Sequence, residues 1–378
     1  MRALYKLLSS FTDIPGWRTR RHIVVIESDD WGSIRMPSIE SYNRLLAAGI
    51  RVDKCHYCTN DTVASTDDLE LLFEVLTSVK DKNGKAAVIT ANSLVANPDF
   101  DRIKESGFQE YFCTLITDSI PKIRGCEHSL DLWKEGNEKG FFRLQSHGRE
   151  HLNVLRWMHY LRNDYPETKI AFENGVYGIS TTITSERRKS FLPALDYNNE
   201  QEQLFCCNAV QDGLFQFNKV FGFYSKSFIA PNYVWGEAIE QTLKKNNVVY
   251  IQGNKFNTYI SKERFRAKKR FRFIGSKTTN GLINLTRNVN FEPSEFGYKD
   301  WVSCCLKEIE LAFRWFHPAI ISSHRVNFIG SLNLQNRDRG LLLLSQLLNA
   351  IVKKWPDVEF MSSDELGRTI MQDKNGRS

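Results

Sequence analysis

The 378-residue sequence has no apolar run near the roughly 18 to 20 residues that a membrane-crossing helix needs. Its longest aliphatic cluster is the four leucines at 341–344. It also lacks a strong charge bias: 51 Lys and Arg against 44 Asp and Glu leave +7, far from a density that by itself implies nucleic-acid binding. No internal repeat or low-complexity tract interrupts it, which excludes solenoids and arrays. The first ten residues carry basic groups but neither an apolar core of about seven residues nor a small-residue cleavage site, so no export signal is read and a cytoplasmic protein is expected. The amphipathic first dozen residues are expected to dock as a terminal helix in preference to touching a membrane surface. Without export, the eight cysteines are expected as reduced thiols rather than a disulfide framework. Cys206-Cys207 and Cys304-Cys305 are adjacent pairs that suit burial. Cys55-His-Tyr-Cys58 has the spacing of half a zinc site, but no second Cys-x-x-Cys or matching His pair completes it.

What is present is a composition, 42% hydrophobic and 25% charged, that can bury a core without staples. His22-Ile-Val-Val-Ile-Glu-Ser-Asp-Asp30 reads as a strand ending in carboxylates ahead of the turn signal Trp31-Gly32. Helices are predicted over 38–48 and 66–80, a strand over 86–91, a strand over 142–146 and a helix over 151–162. Residues 163–199 lose periodicity and read as an insertion over one face. The rhythm resumes with a helix at 200–216, a strand at 227–230, a helix at 236–245 and a strand at 248–252. A second irregular, basic insertion is predicted over 254–298. A helix at 301–315, a strand at 319–323, a helix at 340–354 and a strand at 358–361 follow. Strand–helix alternation with polar strand ends predicts a parallel α/β fold, barrel or doubly wound, with its site at the carboxyl ends of the strands.

Three polar clusters carry chemistry. Adjacent Asp29 and Asp30 at a strand end repel unless a cation or a shared proton stabilises them, although Asp30 could equally cap the following turn. In Ser146-His147-Gly-Arg-Glu-His151, i and i+4 spacing can put both imidazoles on one face of a helical turn, a geometry for two ligands of one divalent metal. It is not the His-Glu-x-x-His of zinc proteases. In Ile320-Ile-Ser-Ser-His324, a histidine ends an apolar strand. Two His and one Asp are a common protein set for a catalytic metal with an open position, which leaves one Asp and one His as base and acid.

In this order the motifs resemble the polysaccharide deacetylase superfamily, the chitooligosaccharide-deacetylase-like carbohydrate esterases of family four. Asp29-Asp30, His147 with His151, Ser227-Phe-Ile-Ala-Pro231-Asn-Tyr233, Asp300-Trp301 and His324 stand where that family has its five motifs, over residues 22–367. The resemblance implies a distorted (β/α) barrel with two insertions: an N-terminal extension at 1–21, one catalytic domain at 22–367, and a polar tail at 368–378. It implies Asp30, His147 and His151 as ligands of a divalent metal, zinc by preference, with Asp29 as base and His324 as acid. Asp300 would tune His324, and a backbone N–H near Asn232 or Tyr233 would help hold the oxyanion. Trp31, Pro231, Asn232, Tyr233 and Trp301 would contact a sugar. The implied reaction removes an N-acetyl group from an amino sugar in a polysaccharide or a lipid-linked or nucleotide-linked precursor, in the cytoplasm or at the inner membrane face, with no nucleic acid as partner.

Two departures stand out. Ile229 occupies the position of the family's motif-three arginine, with Lys226 the nearest cation, and Glu27-Ser28 precede the Asp pair where apolar or aromatic residues are usual. A non-sugar amide, a sugar O-acetyl ester, or glycan binding by a decayed site are the alternatives. The segment at 262–273 interleaves cations with aromatics and could meet an anionic glycan, lipid phosphate or nucleic acid. His22, His56, His128, His159 and His317 have no motif partner and are expected to be structural.

Overall fold

The computed structural model describes residues 15–375. The first dozen residues, the amphipathic segment considered above, therefore lie outside the described residues. Among the described residues no helix is long and apolar enough to cross a membrane.

Eight parallel strands form a nearly closed barrel. They are β1 (Ile23–Trp31), β2 (Ile89–Ser93), β3 (Phe142–Ser146), β4 (Ser227–Ile229), β5 (Tyr250–Asn254), β6 (Ile283–Arg287), β7 (Ala319–His324) and β8 (Glu359–Met361). The order runs β6-β5-β4-β3-β2-β1-β7, with β8 pairing the start of β1. Closure comes from one stretch of chain: β6 pairs with β5, and its continuation Val289–Asn290 pairs with β7.

Side-chain alternation with period two explains how this barrel is filled. Ile23 and Val25 of β1, Ile283 and Leu285 of β6 and Ile320 of β7 share one apolar cluster with Leu366 and Ile370. That cluster is the barrel floor. Two residues further along the same faces stand Glu27 and Arg287, then Asp29. The opposite face of β1, Val24 and Ile26, packs with the helical layer in the largest core cluster.

Most predicted elements are present with shifted ends. The strand predicted over 86–91 is β2 at 89–93, and the helix predicted over 340–354 runs Leu334–Lys354. Two expectations require correction. Residues 254–298 are not wholly an insertion, because they contain β6 and a hairpin of Phe256–Ile260 and Ala267–Phe271. Residues 368–375 are not simply a polar tail, because the helix Ser363–Asn375 runs through them and buries Ile370, one turn beyond Leu366, under the barrel.

Candidate active site

Register places the chemistry at the carboxyl ends of the strands. Asp29 lies opposite His324 across β1 and β7. Consecutive strand residues normally point to opposite faces, yet Asp29 and Asp30 both line one cavity. The cause is a break in β1: its register against β2 shifts after Ser28, and Asp30 adopts φ 72°, a left-handed conformation costing about 1 to 2 kcal/mol for a non-glycine residue. Gly32, at φ 92°, completes the turn; a Cβ there would sit 2.5 Å from the Leu94 carbonyl oxygen.

His147 and His151 do not share a helical turn as the spacing suggests. They lie in the loop between β3 and the helix Val154–Arg162, where Gly148 at φ 107° turns the chain and the two rings meet at 5.2 Å. The Nδ1 of His147 is held by the Ile229 carbonyl at 2.9 Å, which directs Nε2 toward Asp30. Asp30 Oδ1 is 3.4 Å from His147 Nε2 and 3.5 Å from His151 Nε2. Asp30 Oδ1 and His147 Nε2 are buried with no hydrogen-bond partner among the described residues. Orphaned lone pairs in contact are costly, and a cation between them removes that cost. The spacing suits one: bonds of about 2.05 Å set tetrahedral edges of about 3.3 Å. Burial pushes His151 down to about 3, so it is the neutral imidazole a metal requires. The other Asp30 oxygen accepts from Arg35 at 3.0 Å, and Arg35 in turn contacts Asp61, the partner of fully buried Arg325.

Opposite this cluster, Asp29 is gripped by Arg287, whose two terminal nitrogens donate at 2.6 and 2.8 Å, and by Asn92 at 2.8 Å. Burial alone would raise the Asp29 carboxyl, but the guanidinium overrides it and holds the group at about 2. Arg287 Nε also donates to Glu27 at 2.6 Å, and Ser363 donates to the second Glu27 oxygen at 2.8 Å. Glu27 shares that cation yet is raised, because burial outweighs its smaller share of it. The two sequence departures are thus one feature. The guanidinium stands on β6 instead of at Ile229, and Glu27 anchors it. Lys226 is exposed beside Tyr250 and Asp364 in a different depression.

His324 Nε2 is 3.8 Å from Asp29, and its Nδ1 meets Glu292 at 2.6 Å. Burial would lower this imidazole; Glu292, with help from Asp29 and Asp30, raises it to about 9. Asn327 donates to the other Glu292 oxygen at 2.8 Å. Asp300, expected as the tuning carboxylate, is instead an exposed N-cap that accepts from the Ser303 N–H at 3.0 Å.

The cavity holds about 460 Å³ and is lined by Lys54, Cys55, His56 and Tyr57 on one side and by residues of the 163–199 segment, including Ser180 and Thr182, on another. Asn232 and Tyr233 line it, at φ 54° and 56°. Pro231 is buried and lines a small depression behind them with Arg149 and Val210. The Tyr233 N–H donates to the Ala230 carbonyl at 2.9 Å and is not free for an oxyanion. Trp31 and Trp301 do not reach the cavity. Trp31 is fully buried, donating to Ser28 at 3.0 Å and edge-on to Trp133, and Trp301 is buried in the same core under Lys299. Each follows a turn or cap residue on the outer, apolar face. His56, expected to be structural, lines the cavity. Arg35, Tyr57, Arg287 and Glu292 were not singled out by sequence reasoning. The signal for Arg287 was its phase with Ile283 and Leu285.

No protein-family model and no curated protein matches this chain. Among solved structures, it is similar to a probable polysaccharide deacetylase from Pseudomonas aeruginosa PAO1, at 7% identity and TM-score 0.45, over 92% of this chain and 91% of that one. It is similar to the Puue allantoinase at 9% identity and TM-score 0.48, over 93% and 91%. It is also similar to the 4-alpha-glucanotransferase from Thermococcus litoralis at 10% identity and TM-score 0.41, where it covers 92% of itself and spans 40% of that protein.

Proposed function

We propose that the protein is a metal-dependent hydrolase that removes an N-acetyl group from an amino sugar in a glycan or a lipid-linked or nucleotide-linked glycan precursor, in the cytoplasm or at the inner membrane face. The observation that carries this reading is the opposition, across one cavity, of a convergent Asp30–His147–His151 donor set and an Asp29–His324 acid–base pair. Asp30, His147 and His151 would hold a divalent metal, zinc by their chemistry, which when bound supplies Lewis acidity toward a carbonyl and toward water. Asp29 stays ionised at any working pH and orients and accepts a proton from the attacking water. Its low basicity is the consequence of Arg287, so it is a weak base that needs an acidified water. His324, protonated below about 9, delivers a proton to the departing amine, which leaves neutral. Glu292 holds the imidazole by Nδ1 and leaves Nε2 facing Asp29 and the cavity. The exposed Lys268 and Lys269 of the hairpin are candidates to meet an anionic carrier.

One observation favours a second reading. With Trp31 and Trp301 in the core, the cavity has few aromatic walls, and its size suits a small amide as well as a sugar unit. The test is acetate or amine release from a panel of N-acetyl sugars, O-acetyl sugars and small amides, with and without chelator, for wild type and Asp29→Asn. Release from the sugars alone, lost with chelator and in the variant, is expected; release from small amides alone selects the second reading, and no release from any member sinks both.

A further inference from the structure

The Cys55-His-Tyr-Cys58 stretch lacks the second half of a zinc site, and the proposed chemistry leaves it unused. It forms the turn into the short helix His56–Asn60, and Cys55 lines the same cavity as Asp29 and His324. Both thiols are free. Cys55 caps that helix and Cys58 lies in its first turn, so the two sulfurs are neighbours. Cys55 is half-buried and open to the cavity; Cys58 is buried behind it. Tyr57, between them, stands edge-on to His324 at 5.6 Å and under the Arg35 guanidinium at 4.6 Å. The adjacent, one-open-one-buried arrangement is that of an attacking and a resolving thiol.

We infer that Cys55 and Cys58 form a reversible dithiol–disulfide pair in the wall of the active cavity, oxidised by low-molecular-weight disulfides. The Cys55 thiolate attacks one sulfur of glutathione disulfide, breaking its S–S bond and releasing one glutathione thiolate. Cys58 then loses its proton to solvent and its sulfur attacks that of Cys55, forming the intrachain bond and expelling the second glutathione thiolate. Two cysteines are oxidised and one glutathione disulfide is reduced to two thiols.

The neighbouring Cys58 side chain and the nearby Arg35 charge bring Cys55 to about 6, whereas burial raises Cys113 to about 11. At pH 7 the larger thiolate fraction of Cys55, discounted for its lower intrinsic nucleophilicity, predicts alkylation on the order of 50-fold faster than at Cys113. The experiment uses the full chain: timed iodoacetamide labelling at pH 7 and, on a separate unlabelled sample, incubation with glutathione disulfide, each followed by mass spectrometry of the tryptic peptide 55–80, which holds both cysteines and no other. Expected are first labelling at Cys55, a peptide lighter by two hydrogens after oxidation and restored by dithiothreitol, and a trapped glutathionyl group on Cys55 in Cys58→Ser. Labelling of Cys55 no faster than Cys113, or a wild-type peptide that keeps the glutathionyl group or both free thiols, overturns the inference.

Discussion

Glu292→Gln keeps the size of the residue that holds His324 and removes its charge, while turning an amide NH2 toward the donating Asn327. The contact is 2.6 Å between Nδ1 and the carboxylate oxygen, so the charge centres lie about 4 Å apart and interact by about 4 kcal/mol at an effective dielectric of 20. That bounds the effect at about 3 pKa units; the range for a single opposite charge is about 1 to 3, and about 2 is expected here. His324, one-fifth exposed and raised to about 9, would then titrate near 7. The same shift fixes a stability signature. A folded-state pKa above the unfolded value of about 6.5 stabilises fully below that pH and loses its effect as pH rises through about 9. The wild type should therefore exceed Glu292→Gln by a gap of up to about 3 kcal/mol at pH 6 that narrows by pH 9. The assay is a nuclear magnetic resonance titration of the His324 ring protons, which needs no substrate, beside urea unfolding at several pH values. A wild-type His324 titrating near 6.5, or one that does not move in Glu292→Gln, refutes the assignment of Glu292 as the group that keeps the acid protonated.

Other perturbations test the rest of the site. Arg287→Met leaves Glu27 and Asp29 as uncompensated buried charges and should cost about 3 to 5 kcal/mol in urea unfolding, and adding Glu27→Gln should recover part of that loss. Asp30→Asn should weaken zinc binding by about a hundredfold or more in calorimetric titration while leaving the circular dichroism spectrum unchanged. Asp300→Ala should lower the melting temperature slightly through its lost helix cap and leave the His324 titration untouched, in contrast to Glu292→Gln. Trp31→Ala should destabilise by about 3 to 5 kcal/mol as a core cavity, with KM unchanged in the folded fraction, because the indole does not reach the cavity.

Strands buried on both faces were the legible part of this fold. β1 and β7 are near-continuous apolar runs, and their polar ends are where the topology puts a site. The loop histidines were legible as residue types but not as geometry: His-x-x-x-His suggested a helix, whereas Gly148 and the delayed helix start at Val154 make it a turn. The tryptophans misled for the opposite reason, since a Trp beside an acidic residue looks the same in sequence whether it faces a ligand or the core. Trp31 follows a left-handed Asp30, and that backbone reversal, invisible in composition, sends the two side chains to different places.

Arg287 was missed because β6 does not look like β1. Its Ile-Asn-Leu-Thr-Arg alternation sits among the charges of the neighbouring hairpin, where a search for continuous apolar runs discards it. Yet phase alone could have found it. Ile23, Val25, Glu27 and Asp29 occupy one face of β1 at intervals of two, and Ile283, Leu285 and Arg287 repeat the apolar-apolar-charged order. A buried Glu27 one step below a buried Asp29 requires a cation at that height of the barrel, since two unpaired carboxylates there could not both stay ionised. Glu27 was the marker of the guanidinium that β6 supplies at that height.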